Sequence, residues 1–277
     1  NNKFAAAAFC LGILMVVGYY AHFKMTKGYE VSEVENTVNI NKNKTNIKDM
    51  FRALFQNPTL MVLMIADLAK WCMNFVIAAS AIYYFKYTAN NPGLMATYIL
   101  ITSIAGVLGA YVFRYLSKAI SSRNSMIGAY ILAAICMILV YFSYNNPALV
   151  ISLMTIALFC YGVSYAATPA LYADTVVYAT WKMGKDASGW IMGLQNLPLK
   201  IGILLRGLIV PAVLAGIGFS PDMDPATMSE AARQGLTVGF GLVPGLFCAA
   251  GAILLIFGFK LTKEKVLAYQ AEIDQRG

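Results

Sequence analysis

Charge is scarce in this chain of 277 residues: 12% of them are Asp, Glu, Lys or Arg, and His22 is the one histidine. That scarcity excludes a His-rich metal set, and neither a GxSxG nucleophile elbow nor a Walker phosphate loop occurs. No enzymatic activity, ATP hydrolysis, cofactor or metal is expected. Cysteine is thin as well. Cys10, Cys72, Cys136, Cys160 and Cys248 all lie inside apolar runs, at spacings that fit neither a zinc site nor a disulfide framework. They read as reduced packing residues. The chain begins at Asn1 without a basic n-region or a small-residue cleavage site ahead of its first apolar run. The expectation is a piece of a longer protein.

What is abundant is apolar side chain. The sequence is 59% hydrophobic with a mean hydropathy of +0.64, above the ~45–50% of soluble domains. A ~30 Å hydrocarbon core takes ~20 apolar residues to cross as a helix. Seven runs qualify, at 4–23, 59–85, 94–117, 125–144, 147–173, 188–217 and 236–260. The fold class is all-α transmembrane, and the lipid bilayer is the chain's first partner. A net charge of +8 does not point to nucleic acid, because the basic residues are dispersed between apolar runs instead of lining one face.

Their distribution reports topology instead. Alternate loops collect Lys24, Lys27, Lys42, Lys44, Lys48 and Arg52, then Arg114, Lys118 and Arg123, then Lys182 and Lys185, then the tail's Lys260, Lys263, Lys265 and Arg276. The opposite side holds Lys86 and Arg233, with Lys3 ahead of the first run and Asp222, Asp224 and Glu230 in its last loop. The positive-inside rule puts the carboxyl terminus in the cytoplasm of a plasma, or bacterial inner, membrane. Residues 1–23 then form one spanning helix, 24–57 a cytoplasmic linker, and 58–277 a six-helix bundle. The linker ends in Ile47, Met50, Phe51, Leu54 and Phe55 at helical spacing, a short amphipathic helix. One helix, a long linker and six more is the pattern left by cutting a 6+6 secondary transporter before its sixth helix. The glycines at 235, 239, 241 and 245 serve close helix packing.

Ionisable groups inside spanning helices are costly and mark interiors or water cavities. Asp67 and Lys70, three apart on one face, are a candidate intramembrane ion pair. Lys200 lies ~15–18 Å into its helix, near mid-bilayer, within the segment Gln195, Asn196, Leu197, Pro198, Leu199, Lys200. Two amides, a helix-breaking proline and a cation there point to a cavity carrying solute or a coupling ion, or to an interhelical bond. Arg206 is close enough to the outer surface to snorkel. Tyr161, Tyr165 and Tyr172 form one stripe interrupted by Pro169. Such a stripe reads as core or as a face for a sugar ring.

Three features resemble the glycoside-pentoside-hexuronide:cation symporters, the melibiose-permease family of the major facilitator superfamily. Tyr83-Tyr84-Phe85-Lys86-Tyr87 after an Asn57-Pro58 entry looks like the close of that family's seventh helix. The segment from Ala173 to Gly189 is similar to the signature between its helices ten and eleven. From Asp174, Tyr165 lies nine residues back and Lys200 26 forward, at the offsets of a sugar-stacking Trp and a helix-eleven Lys in the family, and Gln195 falls on a matching Gln.

The resemblance implies a major facilitator fold and cation-coupled symport of a sugar-like solute by alternating access. It implies that Lys200, Gln195, Asn196, Tyr165 and Tyr161 lie around the substrate, and that Asp174 and Lys182 belong to a cytoplasmic gate. Val177, Thr180 and Asp186 stand where the family pattern has an acid, another acid and a base, so that gate is weakened or rewired. The coupling cation, Na+ or H+, would bind mostly in an amino-terminal half that precedes this chain. A seven-helix receptor or retinal-type protein, with its buried Lys, and a channel subunit stay open as alternatives.

Overall fold

The computed structural model describes residues 2–27, 54, 57–184, 188–220, 223–225 and 228–276. The chain divides into two compact units, Asn1–Ile47 and Lys48–Gly277, so the division falls inside the expected linker. The amphipathic helix expected there lies, apart from Leu54, outside the described residues. Among the described residues the first unit holds one helix, α1 (Asn2–Thr26). At ~1.5 Å per residue its length exceeds the hydrocarbon thickness.

The second unit is a bundle. Among the described residues its helices are α2 (Pro58–Tyr83), α3 (Leu94–Ile120), α4 (Ser122–Phe142), α5 (Pro147–Met183), α6 (Ser188–Leu194), α7 (Asn196–Gly216), α8 (Glu230–Thr237), α9 (Val243–Phe257) and α10 (Lys263–Arg276). A π-helical turn, Tyr84–Thr88, extends α2, and another, Val238–Leu242, joins α8 to α9. Among the described residues six stretches are long and apolar enough to span a membrane: Pro58–Thr88, Leu94–Ile120, Ser122–Phe142, Pro147–Met183, Ser188–Gly216 and Glu230–Phe257. No strand occurs among the described residues, and the protein is an all-α multi-pass membrane protein.

Local chemistry sets the helix starts. Asn57 and Asn146 each cap a helix whose first residue is proline, accepting from the amides of Leu60 (3.1 Å) and Leu149 (3.2 Å). Proline fits there because the first-turn N–H has no helical partner to lose. Helix α5 runs ten residues past the apolar stretch that announced it and stops at Gly184, whose φ of 65° is the left-handed conformation that glycine adopts freely. Apolarity marks where the membrane ends, and hydrogen bonding carries a helix beyond it.

Close approach between helices rests on small residues. A methyl group on Gly109 of α3 would sit 2.0 Å from the Phe159 carbonyl oxygen of α5, and one on Gly162 would sit 2.0 Å from that of Gly106. No rotamer change relieves a clash with backbone, so these glycines fix how α3 lies on α5. The glycines near the start of the last span pack in the same way: Gly241 faces the Met137 carbonyl of α4, and Gly239 faces Ser80 of α2. Helix α9 also packs on α2 and α4, while α7 lies along α2. Between α2 and α5 the middle of the bundle contains polar side chains.

At the end richer in basic residues, Arg123 donates to the carbonyls of Leu255 (3.3 Å), Ile256 (3.0 Å) and Phe259 (2.7 Å). Leu255 and Ile256 lie in the last turn of α9, whose carbonyls lack helical partners, and Phe259 lies just past it; a cation suits that negative helix end. Helix α10 docks nearby on the end of α5. Trp181 donates to Glu272 at 2.6 Å, and Tyr269 packs against Trp181 and Tyr178. This helix was not expected, since the tail carries no long apolar run.

Candidate functional site

The centre of the bundle is built on one turn of α2. Asp67 and Lys70 lie three residues apart, face inward, and form an ion pair through Lys70 Nζ and Asp67 Oδ1, with 0% and 1% of their side chains exposed. Lys70 also donates to Thr168 Oγ1 of α5 at 2.6 Å. The Thr168 hydroxyl lies 3.3 Å from Asp67 Oδ1 and 2.9 Å from the Ser164 carbonyl, the two acceptors open to its single proton. The sequence supplied the pair; Thr168 becomes its third member only because α5 crosses α2 at that level.

One half of the carboxylate is left over. Asp67 Oδ2 is buried with no hydrogen-bond partner among the described residues. The Tyr172 hydroxyl of α5 is in the same condition, whereas the Tyr130 hydroxyl of α4 donates to the Ala66 carbonyl at 2.7 Å. Buried polar atoms are nearly always satisfied, so an orphan acceptor beside a charged pair marks a place built for something besides packing.

Outward from Lys70 the surroundings turn aromatic. Its ammonium lies 5.3 Å from the Trp71 ring and 5.6 Å from the Tyr165 ring, within cation–π range. Trp71 stacks on Phe75 (5.4 Å, 22°) and meets Tyr161 and Tyr165 edge-on at 6.5 and 6.1 Å. Trp71 and Tyr165 form a wall shared by two clefts. One, of about 580 Å³, opens between α2, α3 and α5 and is lined by Trp71, Asn74, Thr102, Ser103, Tyr161 and Tyr165 among others. The second, of about 150 Å³, lies between α2, α5 and α7 and takes in Asp67, Lys70, Trp71, Tyr165, Thr168, Pro169, Gln195, Asn196 and Leu199. Apolar walls with a few convergent polar groups are the usual makeup of a small-molecule site.

Tyr165, Tyr161, Gln195 and Asn196 therefore reach these clefts. Lys200 does not line either one. It is exposed, one helical turn along α7 from Asn196, and makes no hydrogen bond or ion pair among the described residues. The break in the helix falls at Gln195, so Pro198 stands in the first turn of α7, where its missing N–H costs no hydrogen bond. Tyr172 leaves the stripe of Tyr161 and Tyr165: past Pro169 its ring is wholly buried. Arg206 is exposed.

The two gate candidates stand apart. Asp174 is half-buried on α5, and exposed Lys182, two turns further on, lies over the Tyr178 ring at 5.8 Å. Val177 and Thr180 are half-buried on the same helix, and Asp186 is outside the described residues. Among the described residues no group of three or more His, Cys, Asp or Glu is placed to hold a metal ion, and Cys72, Cys136, Cys160 and Cys248 are free buried thiols.

Sequence reasoning passed over Trp71, Asn74 and Thr168. Trp71 had one signal, its place next to a lysine inside a span. Thr168 had another, a hydroxyl directly before an in-helix proline.

Residues 1–263 match the family described as MFS/sugar transport protein. Over 270 residues the chain is 28% identical to the glucuronide carrier protein homolog of Escherichia coli (strain K12), covering 96% of this chain and 56% of that protein. Over 263 residues it is 23% identical to the isoprimeverose transporter of Lactiplantibacillus pentosus, covering 92% and 52%. The chain thus spans about half the length of these relatives. A match over nearly all its residues, on a bundle of six spanning helices enclosing a polar centre, means that the chain belongs to the MFS/sugar transport protein family.

Proposed function

We propose that this chain is the carboxyl-terminal part of a cation-coupled symporter that carries a sugar or glycoside by alternating access. The carrying observation is the wall of Trp71, Tyr161 and Tyr165 beside Lys70, Gln195 and Asn196: apolar ring faces next to hydrogen-bonding groups. A sugar offers the complement, C–H faces that stack on aromatic rings and hydroxyls that bond at the edges. Names among the relatives, a glucuronide carrier homolog and an isoprimeverose transporter, support a cargo of that kind.

In this reading an amino-terminal half supplies the other wall, and the segment 24–57 tethers the two. Lys200, exposed next to Asn196, faces the central space and the solute. Asp174 and Lys182 stand at the cytoplasmic mouth, and the basic loops hold the carboxyl terminus in the cytoplasm of a plasma membrane. The coupling cation is Na+ or H+.

The test uses full-length protein in proteoliposomes, a panel of a glucuronide, isoprimeverose and a neutral methyl glycoside, and imposed Na+ or H+ gradients. The expected result is accumulation above equilibrium together with counterflow of labelled against unlabelled sugar. Equilibration without counterflow would make the protein a pore, and no movement of any panel sugar would remove the sugar reading.

A further inference from the structure

The polar centre holds more than cargo recognition needs. A lysine able to donate to a sugar oxygen is accounted for by the proposed carrier. A carboxylate behind it, shielded from solvent and with Oδ2 unpartnered, is not. An enclosed ion pair seldom contributes more stability than an apolar replacement would, because both charges lose their water. The arrangement is better suited to change than to support. Lys70 has three N–H donors: one goes to Asp67 and one to Thr168, and the ammonium lies beside the two rings that wall the small cleft.

Building on the carrier reading of this cleft, we infer that Asp67 is a proton-accepting residue that couples solute binding to uptake of one proton. A solute oxygen in the small cleft accepts from Lys70 and draws the ammonium, on its flexible stem, off Asp67 toward Trp71 and Tyr165. The carboxylate left behind is buried and no longer compensated. A proton from solution then adds to Oδ2, so the O–H bond formed neutralises Asp67 while Lys70 stays an ammonium. The site goes from net zero to one positive charge, carried through the cycle with the solute. When the solute leaves, Lys70 returns and the proton departs. Thr168 serves both states, as acceptor for Lys70 in one and as donor to Asp67 Oδ1 in the other.

The groups packed around Asp67 allow this. On its own helix stands Lys70; α5 contributes Thr168 and the phenols of Tyr161 and Tyr172; α4 contributes Tyr130, with Cys248 of α9 beyond it; and α7 brings the amides Gln195 and Asn196 to the same cleft. Phenols and thiols stay neutral at physiological pH. Lys70 is thus the cation whose movement sets the charge on Asp67.

Infrared difference spectroscopy on wild-type full-length protein, with the panel sugar that exchanges best, provides a test that needs no variant. Adding sugar should produce the carbonyl band of a protonated carboxylic acid, shifted in D2O and moved in Asp67→Glu. A lightly buffered proteoliposome assay should show about one proton entering per sugar. In Asp67→Asn that ratio should fall by about one proton per sugar, and Asp67→Glu should restore it with a displaced pH profile. No solute-dependent carboxylic-acid band, or a proton ratio unchanged in Asp67→Asn, would overturn the inference and leave the pair as a structural tie. Sugar exchange by the wild type with Na+ alone and no such band would sink the proton site while leaving the carrier standing. A wild type that exchanges no panel sugar would remove both.

Discussion

Lys70 and Lys200 are the same side chain, each set well inside a spanning helix, in surroundings that differ in almost every respect. Lys70 is enclosed between α2 and α5, paired with Asp67, bonded to Thr168 and covered by two aromatic rings. Lys200 is exposed on α7 with no hydrogen bond or ion pair among the described residues. The first is surrounded by partners from its own bundle, and the second has none among the described residues. Depth along a helix therefore says that a charge is costly without saying what offsets the cost; the neighbouring helix decides that.

The sharpest way to break the comparison is to remove each ammonium. Lys70→Ala leaves buried Asp67 without its cation, so the carboxyl must stay uncompensated or take up a proton, and we expect a loss of up to about 3–5 kcal/mol, read as a lower unfolding midpoint in detergent. Lys200→Ala should leave that midpoint alone while abolishing sugar accumulation in proteoliposomes. Equal melting of the two variants would erase the distinction. A Lys200→Ala protein that accumulates sugar normally would remove Lys200 from the mechanism.

Next in size is the packing that holds the surroundings of Lys70 in place. Gly109→Ala puts a methyl group against the Phe159 carbonyl, and an overpacked core costs about 1–3 kcal/mol. A circular-dichroism melt should fall accordingly, whereas Gly128→Ala, with nothing within 4 Å of the new methyl, should not. A smaller effect is expected away from the centre. Trp181→Phe keeps the ring packing of α10 on α5 but loses the bond to Glu272, about 0.5–1.5 kcal/mol for one hydrogen bond. Hydrogen exchange should speed up across α10 and stay unchanged in α2.

The smallest effect concerns pH. Tyr144, in the loop between α4 and α5, donates to Glu230 at 2.9 Å, and that bond holds its pKa above the usual value. Its contribution is complete below the unfolded-state pKa of ~10 and is lost as pH rises through the higher folded value. Tyr144→Phe should lack that alkaline component of unfolding, and the behaviour of Lys70 should not change with it.

Much of this was legible before any coordinates. Hydrophobic runs located most of the spans to within a few residues, because the lipid core demands a fixed length of apolar helix. The α2 pair was legible from its spacing, and Tyr161, Tyr165, Gln195 and Asn196 from being polar or aromatic where lipid would favour Leu and Val. Helix α10 was missed because its stability comes from docking on α5 rather than from its own apolarity. The last ten residues of α5 were missed because they lie beyond the apolar signal.

By itself, then, the sequence determined that this chain crosses a membrane as helices and which residues break the apolar rule, since transfer into hydrocarbon acts on each segment separately. Only the tertiary structure decided which of those residues meet. Thr168 completes the Asp67–Lys70 pair from about a hundred positions away, Trp71 becomes the wall between two clefts, and Lys200 is left without a partner. Such meetings depend on where α5 crosses α2, and glycines at other places in the chain, among them Gly109 and Gly162, set the close approach that holds α5 in position.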